Sequence, residues 1–302
     1  DRVYVHPGPV YTVCFPPGGG LISGGEGICA WNDDGTQRWH SPTSASRLHL
    51  NPAVNRIAAS FSWAAHLLDA DSGESVASLG GGTPGVRWVG DRVLGERPEK
   101  GGLPLWNGAT GESDGELPLQ PGYVNQFEVN ADGTRFLSAS RDSGVWLRNA
   151  RGETVATFDT NGGALTTHRF LHGRLFLGSW TGRVVVADPD TGDVLFDEQE
   201  QVRCTWLAPL GPDRFATGGH DGMIRLWQGP DWELVSCVDG GQGELRSPVV
   251  APDNSVVGWG AMHGQAVLQD AATSTLTELA GHRGTVTATQ CLWLTADRIL
   301  TW

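Results

Sequence analysis

The sequence of 302 residues lacks the features that mark several large classes of protein. Lys100 is its only lysine, so 20 of its 21 basic residues are arginines, and they form no basic cluster. With 34 acidic residues, the formal net charge is -13. Binding to nucleic acids and to anionic membranes relies on clustered cations. We therefore expect neither nucleic acid nor a membrane as a partner.

Long apolar runs and paired cysteines are also missing. No segment approaches the roughly 18 apolar residues of a membrane-spanning helix, and no N-terminal signal peptide is visible. Because the chain starts at Asp1 without Met, we expect it to be processed or excised from something longer. The cysteines are scattered singly and predict small buried thiols in a reducing compartment; they are Cys14, Cys29, Cys204, Cys237 and Cys291. We predict a cytoplasmic protein.

Motifs for catalysis, cofactors and metals are weak. GGGTPG at Gly80–Gly85 formally fits a dinucleotide motif, but it contains Pro84 and opens no helix. His168 and His172 lie four apart on a predicted strand, which separates them by about 13 Å. DPDTGD at Asp188–Asp193 lacks the glutamate that completes a calcium loop and is typical of a turn. We predict no enzymatic activity, no cofactor and no metal site.

Glycine and proline are abundant, and they recur in a regular pattern. The 43 glycines and 17 prolines, with only 18% charged residues, favour short strands joined by tight turns. Turns between a first and a second strand occur eight times: Phe15–Ser23, Leu50–Ala59, Val89–Gly95, Val129–Ser138, Leu171–Gly178, Leu210–Thr217, Ala251–Gly258 and Leu294–Thr301. Third strands end at intervals of 37 to 42 residues, near Trp31, Leu68, Trp106, Arg148, Ala187, Trp227 and Gln269. A period near 40 with four short strands predicts a β-propeller.

One stretch resembles the centre of a WD40 repeat. Phe215–Trp227, FATGGHDGMIRLW, has the pattern of a β-hairpin with a Gly-rich turn. WD40 repeats carry a Gly-His pair before the first strand, a Ser or Thr on the second, an Asp in the next turn and a Trp on the third, which form a hydrogen-bonded network. Thr217, Asp221 and Trp227 match three of these positions, and Gly281–His282 matches the Gly-His pair in the last unit. Because no unit has all four, we expect the repeats to depend on apolar packing.

We therefore predict a divergent WD40-like, all-β propeller that forms a single domain, residues 1–302. Eight blades of about 40 residues are predicted, with seven as the alternative. The last blade is incomplete, with strands at Thr285–Leu292 and Arg298–Trp302, and Arg2–His6 is predicted to complete it as an outermost strand. The strand that is still missing leaves three alternatives: a three-stranded blade, further C-terminal residues, or a strand from another chain.

Large side chains in the loops between second and third strands predict a partner-binding face. They are Phe61, Trp63, Arg97, Arg141, Trp180, His220, Trp259 and His263. Tryptophan and arginine are frequent interface hot spots, and in WD40 proteins, by resemblance, this face is the usual binding face. Alternatives stay open: packing between blades or a small-ligand pocket for the three tryptophans, a turn role for His220 and Asp221, and solvated charges for Arg97 and Arg141.

The function predicted from these features is a non-enzymatic interaction scaffold that holds a protein partner or another domain of its parent chain. A first alternative is a propeller that senses a peptide or small ligand in its pore and signals through a further domain. A second alternative is a hydrolase or lyase, which the innermost strands disfavour because they carry few carboxylates or metal ligands. The preference for arginine over lysine and the high glycine content indicate a bacterial source.

Overall fold

The structure, a computed structural model, describes residues 4–81, 85–96, 102–118, 124–140, 144–200, 202–240, 245–261, 266–279, 291–295 and 298–301. Within these ranges the regular secondary structure consists of β-strands, with no helix. The strands form seven four-stranded sheets and one two-stranded sheet, each with its strands in chain order. The chain divides into two compact units, which are described separately.

Unit 1 comprises Asp1–Phe136 and Asn149–Glu153. Its first sheet consists of β1 (Val10–Cys14), β2 (Leu21–Gly25), β3 (Gly27–Trp31) and β4 (Gln37–Ser41). The second consists of β5 (Arg47–Asn51), β6 (Arg56–Phe61), β7 (Ala64–Asp69) and β8 (Ser75–Gly81). The third consists of β9 (Gly85–Val89), β10 (Arg92–Glu96), β11 (Gly102–Asn107) and β12 (Ser113–Pro118).

Unit 2 comprises Leu137–Arg148 and Thr154–Trp302. The fourth sheet consists of β13 (Val124–Val129), β14 (Arg135–Ser140), β15 (Gly144–Asn149) and β16 (Thr154–Phe158). The fifth consists of β17 (Leu165–Leu171), β18 (Arg174–Ser179), β19 (Arg183–Ala187) and β20 (Val194–Gln199). The sixth consists of β21 (Cys204–Pro209), β22 (Arg214–Gly219), β23 (Met223–Gln228) and β24 (Glu233–Asp239).

Two further sheets of unit 2 complete the described strands. The seventh sheet consists of β25 (Leu245–Val250), β26 (Val256–Ala261), β27 (Ala266–Asp270) and β28 (Leu276–Leu279). The last is the antiparallel pair β29 (Cys291–Thr295) and β30 (Arg298–Thr301).

Second and third strands carry most of the core, because both of their faces are covered. All five residues of β2 and of β3 are buried. Fourth strands are instead largely exposed, as in β20 and β24. In unit 2, an aromatic cluster joins neighbouring sheets, with the ring of Phe215 packed edge-on against Phe176 at a centroid distance of 5.7 Å and stacked on Trp227 at 6.2 Å. Packed aromatic rings contribute large buried areas, so such clusters hold the sheets of one unit together.

The predicted repeat is confirmed by the strand positions. Each of the third strands β3, β7, β11, β15, β19, β23 and β27 ends within one residue of its predicted end. The number of blades and the single domain stay predictions. The prediction of a strand at Arg2–His6 is wrong for its described part, because Tyr4–His6 form no strand. Pro7 has no N–H, and the N–H of Gly8 donates to Nδ1 of His6, so this segment bends locally. The predicted strand Thr285–Leu292 lies mostly outside the described residues.

Candidate partner-binding site

Trp180 lies in the three-residue turn between β18 and β19. Its backbone N–H donates to the carbonyl of Ala164 at 2.8 Å, and the N–H of Gly182 donates to the carbonyl of Ser179 at 3.1 Å. Gly182 has a φ of +90°, and a Cβ at this position would collide with the carbonyl oxygen of Val202. Only glycine fits such a position without strain. The turn is therefore fixed by its backbone, while the Trp180 side chain is 56% exposed.

Arg203 links Trp180 to His220. Its guanidinium carbon lies 3.7 Å from the centroid of the Trp180 ring, which is a cation–π contact. Its backbone carbonyl accepts the N–H of His220 at 2.9 Å. We call these three residues the Trp180 patch. Sequence analysis predicted Trp180 and His220 but missed Arg203, because Arg203 lies in the connection before β21 and no sequence pattern places it against the ring.

Asp221 stabilises the turn between β22 and β23. Its Oδ1 accepts the N–H of Met223 at 3.0 Å, and its Oδ2 forms a salt bridge with Nη2 of Arg225 at 2.7 Å. Burial acts to raise the pKa of Asp221, but these hydrogen bonds and the charge of Arg225 outweigh it and lower the pKa below its ordinary value. These contacts are those of a turn residue, which is one of the roles that the sequence offered for Asp221.

A buried chain of hydrogen bonds runs through the sixth sheet. The indole Nε1 of Trp227 donates to Oγ1 of Thr217 at 3.2 Å, and Thr217 Oγ1 donates to Oε1 of Glu200 at 2.7 Å. Nη1 of Arg225 lies 3.7 Å from the other carboxylate oxygen of Glu200. Burial raises the pKa of Glu200 above its ordinary value, although Thr217 and Arg225 act in the opposite direction. The Glu200 carboxylate nevertheless accepts a hydrogen bond from the Thr217 hydroxyl and lies near the Arg225 guanidinium.

Glu200 joins the polar network of the sixth sheet, which lacks the Gly-His pair of the family pattern. It precedes β21, where the WD40 resemblance places a histidine, and it accepts the hydrogen bond from Thr217. Sequence analysis missed it because glutamate is not the residue that the family pattern leads one to search for. A carboxylate and an imidazole can both accept a hydrogen bond from a hydroxyl, so the exchange preserves this link.

A second exposed aromatic group lies in unit 1. Phe61 ends β6, and its ring stacks on that of Tyr11 from β1, with centroids 6.3 Å apart and planes at 29°. Trp63 follows in the turn after Ser62, which has a φ of +54°, an uncommon value for a residue with a side chain. Tyr11 and Trp63 are 53% and 56% exposed. We call Tyr11, Phe61 and Trp63 the Tyr11 patch; sequence analysis missed Tyr11, which comes from a different sheet.

Trp259 does not belong to the exposed surface that the sequence predicted for it. It lies on β26, which continues to Ala261, and its side chain is 0% exposed. Its Nε1 donates to the carbonyl of Gly240 at 2.9 Å, and its ring stacks on Trp206 with centroids 6.3 Å apart. The assignment of Trp259 to partner binding is therefore corrected, and of the alternatives left open, packing between neighbouring sheets holds.

The remaining predicted residues lie outside the described residues. They are Arg97, Arg141, His263, Gly281 and His282. Their roles stay predictions.

The Asp-rich motif DPDTGD forms a turn between β19 and β20. Oδ1 of Asp188 accepts the N–H groups of Asp190 and Thr191 at 2.8 and 3.1 Å, as aspartates in turns commonly do. In the described ranges, no three His, Cys, Asp or Glu side chains are grouped so that they could hold a metal ion. The same ranges contain no helix with the length and hydropathy needed to cross a membrane.

Comparison with known proteins shows similarity in structure. No protein-family model matches the sequence, and no curated protein sequence matches it. Among solved structures, the computationally designed protein Ika8 is similar with a TM-score of 0.65 and 19% identity, over 98% of this chain and 96% of Ika8. BamB from Moraxella catarrhalis is similar with a TM-score of 0.66 and 14% identity, over 96% of this chain and 95% of BamB. The C-terminal WD40 domain of Sif2 has a TM-score of 0.60 and 15% identity, over 83% of this chain and 77% of that domain.

These similarities and the sequential four-stranded sheets define the class of the protein. It has an all-β, WD40-like β-propeller fold. At 14% to 19% identity the comparisons establish the fold alone, because one fold supports many functions. The function has to be argued from the surface chemistry of this chain.

Proposed function

We propose that this protein is a non-enzymatic interaction module that binds a protein partner, or another domain of its parent chain, through turns between second and third strands. The observation that supports this proposal most strongly is the Trp180 patch. A large aromatic ring is exposed on a turn whose backbone is fixed, and a guanidinium lies against one of its faces. Tryptophan and arginine are the residues most enriched among interface hot spots.

The rigidity of the patch favours binding. Ordering a mobile side chain at an interface costs about 0.5–1.5 kcal/mol. Gly182 and the hydrogen bond from the Trp180 N–H to Ala164 fix the backbone of the turn, and the Arg203 guanidinium against the ring reduces the freedom of the indole before a partner arrives. The patch is therefore prepared for contact, and the Tyr11 patch supplies a second exposed aromatic group in unit 1.

The charge of the chain narrows the class of partner. A net charge of -13 opposes nucleic acid and anionic lipid surfaces. The proposed partner is therefore a protein in the cytoplasm that contacts the exposed aromatic rings. Such contacts depend on apolar burial and cation–π geometry and so need little net charge complementarity.

The test is affinity purification from the native cell extract with three forms of the tagged protein: wild type, Trp180→Ala and Leu234→Ala. Leu234 is a matched control, because it is an apolar residue of unit 2 that is 48% exposed on the outer strand β24. We expect one protein to be retained by wild type and Leu234→Ala. Its recovery should fall at least about ten-fold with Trp180→Ala, the loss typical of a hot spot.

Equal recovery of the same proteins with all three forms would contradict the role of the Trp180 patch. Far-UV circular dichroism of each variant establishes that it is folded. Trp63→Ala, purified in the same way, measures separately whether the Tyr11 patch contributes to the same partner.

A further inference from the structure

A cavity of about 670 Å³ opens in unit 1. It is bounded by the ends of β1, β5, β9 and β13 and by the turns that follow these strands. It therefore lies at the turns between first and second strands, whereas the Tyr11 patch includes a turn between second and third strands. Its volume falls within the range of about 300–1,000 Å³ that is typical of sites for small molecules.

Arg87 and His49 form a fixed polar pair in the wall of this cavity. Nη1 of Arg87 lies 2.8 Å from Nε2 of His49 and donates to the carbonyl of Val86 at 3.0 Å. Arginine is always a donor, so Nε2 of His49 must accept, and the ring proton lies on Nδ1. Burial, followed by the charges of Arg87 and Arg47, lowers the pKa of His49 to about 4. At neutral pH the pair therefore carries one positive charge, on the guanidinium.

Neighbouring backbone contacts hold this charge in place. Nε1 of Trp88 donates to the carbonyl of His49 at 2.6 Å, which joins β9 to β5. Nδ2 of Asn51 donates to the carbonyl of Gly90 at 3.0 Å, which joins the same two sheets at the following turns. Arg87 therefore lies on a strand that is tied to its neighbour by hydrogen bonds close to the His49 contact, as a preorganised site requires.

Negative charge lines the same cavity. Asp132 and Asp91 are both in its wall. Oδ1 of Asp132 accepts the hydroxyl and the backbone N–H of Thr134 at 2.6 and 2.9 Å. These hydrogen bonds lower the pKa of Asp132, so its carboxylate is ionised at neutral pH. Trp88, Leu50 and Phe15 add apolar surface to the lining of the cavity.

We infer that this cavity binds a small zwitterion with an apolar side chain, of the amino-acid or dipeptide class. The guanidinium in the lining matches a carboxylate, the aspartates match an ammonium group, and the apolar residues accept the side chain. A ligand with only a negative charge would be repelled by the aspartates, and a ligand with only a positive charge would be repelled by Arg87. The inference is independent of the protein-binding proposal, because it uses none of the residues of the Trp180 or Tyr11 patches.

The test is calorimetric titration of the full chain with four probes: L-phenylalanine, L-phenylalanyl-L-leucine, 3-phenylpropanoate and 2-phenylethylamine. We expect at least one of the two zwitterions to bind with a Kd of about 1 mM or tighter. The acid without an ammonium group and the amine without a carboxylate should each bind at least about ten-fold more weakly. Quenching of the protein's tryptophan fluorescence by the ligand provides a second readout, because Trp88 lines the cavity.

Two variants and a control test which charged side chain binds which charged group of the ligand. Arg87→Gln should weaken the binding of the zwitterion at least about ten-fold. Asp132→Asn keeps an acceptor oxygen for Thr134. It should weaken the binding only of ligands that carry an ammonium group. Arg56→Gln is the control, because Arg56 is another arginine of unit 1 whose partner is Asp69 at 2.8 Å, and it does not line the cavity. Its titration should match wild type.

Three results would overturn the inference. One is equal affinity for the zwitterions and their single-charged analogues. Another is the absence of binding by all four probes at about 10 mM, a concentration at which even a weak site is occupied. The third is binding of the zwitterion that neither Arg87→Gln nor Asp132→Asn weakens.

Discussion

Replacing Trp259 with alanine is expected to lower the free energy of unfolding by about 3–5 kcal/mol, the usual cost of removing a buried tryptophan. The side chain is 0% exposed, stacks on Trp206 and donates a hydrogen bond to the carbonyl of Gly240. Its removal leaves a cavity among Ala216, Leu226 and other buried residues of the sixth and seventh sheets. The surrounding strands are held by their ladders and can close this space only in part.

The matched control is Trp180→Ala. It removes the same side chain from an exposed turn, so we expect a loss of about 1 kcal/mol or less, most of it from the contact with Arg203. Urea denaturation followed by far-UV circular dichroism measures both variants without depending on tryptophan fluorescence. Similar midpoints for Trp259→Ala and wild type would show that Trp259 is not part of the core.

Replacing Glu200 with alanine is expected to lower the free energy of unfolding by about 1–3 kcal/mol, because the buried hydroxyl of Thr217 loses its acceptor. Thr217 is fully buried, and its other hydrogen bond comes from Trp227. Glu200→Gln should be much milder, since an amide oxygen can accept from Thr217 while the buried charge is removed. Thermal and urea unfolding of wild type and of both variants measure the difference.

The difference in the free energy of unfolding between Glu200→Gln and wild type should change with pH in one direction. Because burial raises the pKa of Glu200 in the folded protein, the folded state holds this proton more tightly than the unfolded state. The stability that Glu200 contributes is therefore complete below its unfolded pKa, about 4.3, and is lost as the pH rises through the higher folded pKa. Relative to wild type, Glu200→Gln should gain stability from pH 4 to pH 8. A trend of the opposite sign would show that Arg225 dominates the site.

The repeat could be predicted from the sequence because local rules govern it. Turn residues and alternating apolar residues determine where short strands begin and end, so third strands fell within one residue of their predicted ends. The prediction failed for Trp259 for a related reason. Gly258, Gly260 and Ala261 suggest a loop, yet β26 continues through them, and a shift of two residues moves a side chain from a turn into the core.

The candidate site was harder to predict because it is made by side chains that meet across the fold. Arg203 against Trp180, Tyr11 against Phe61, and Glu200 against Thr217 each join separate elements. No spacing rule connects such residues in a single sequence. The cavity has the same origin, since four turns that are distant in sequence converge on it.

Site-specific crosslinking in living cells can show whether the Trp180 patch contacts a protein partner. A benzophenone amino acid is placed at position 180 and, as a control, at position 194, where Val194 is exposed on the outer strand β20. We expect a crosslink to one partner protein from position 180 and none from position 194. Equal crosslinking at both positions, or none at position 180, would contradict it.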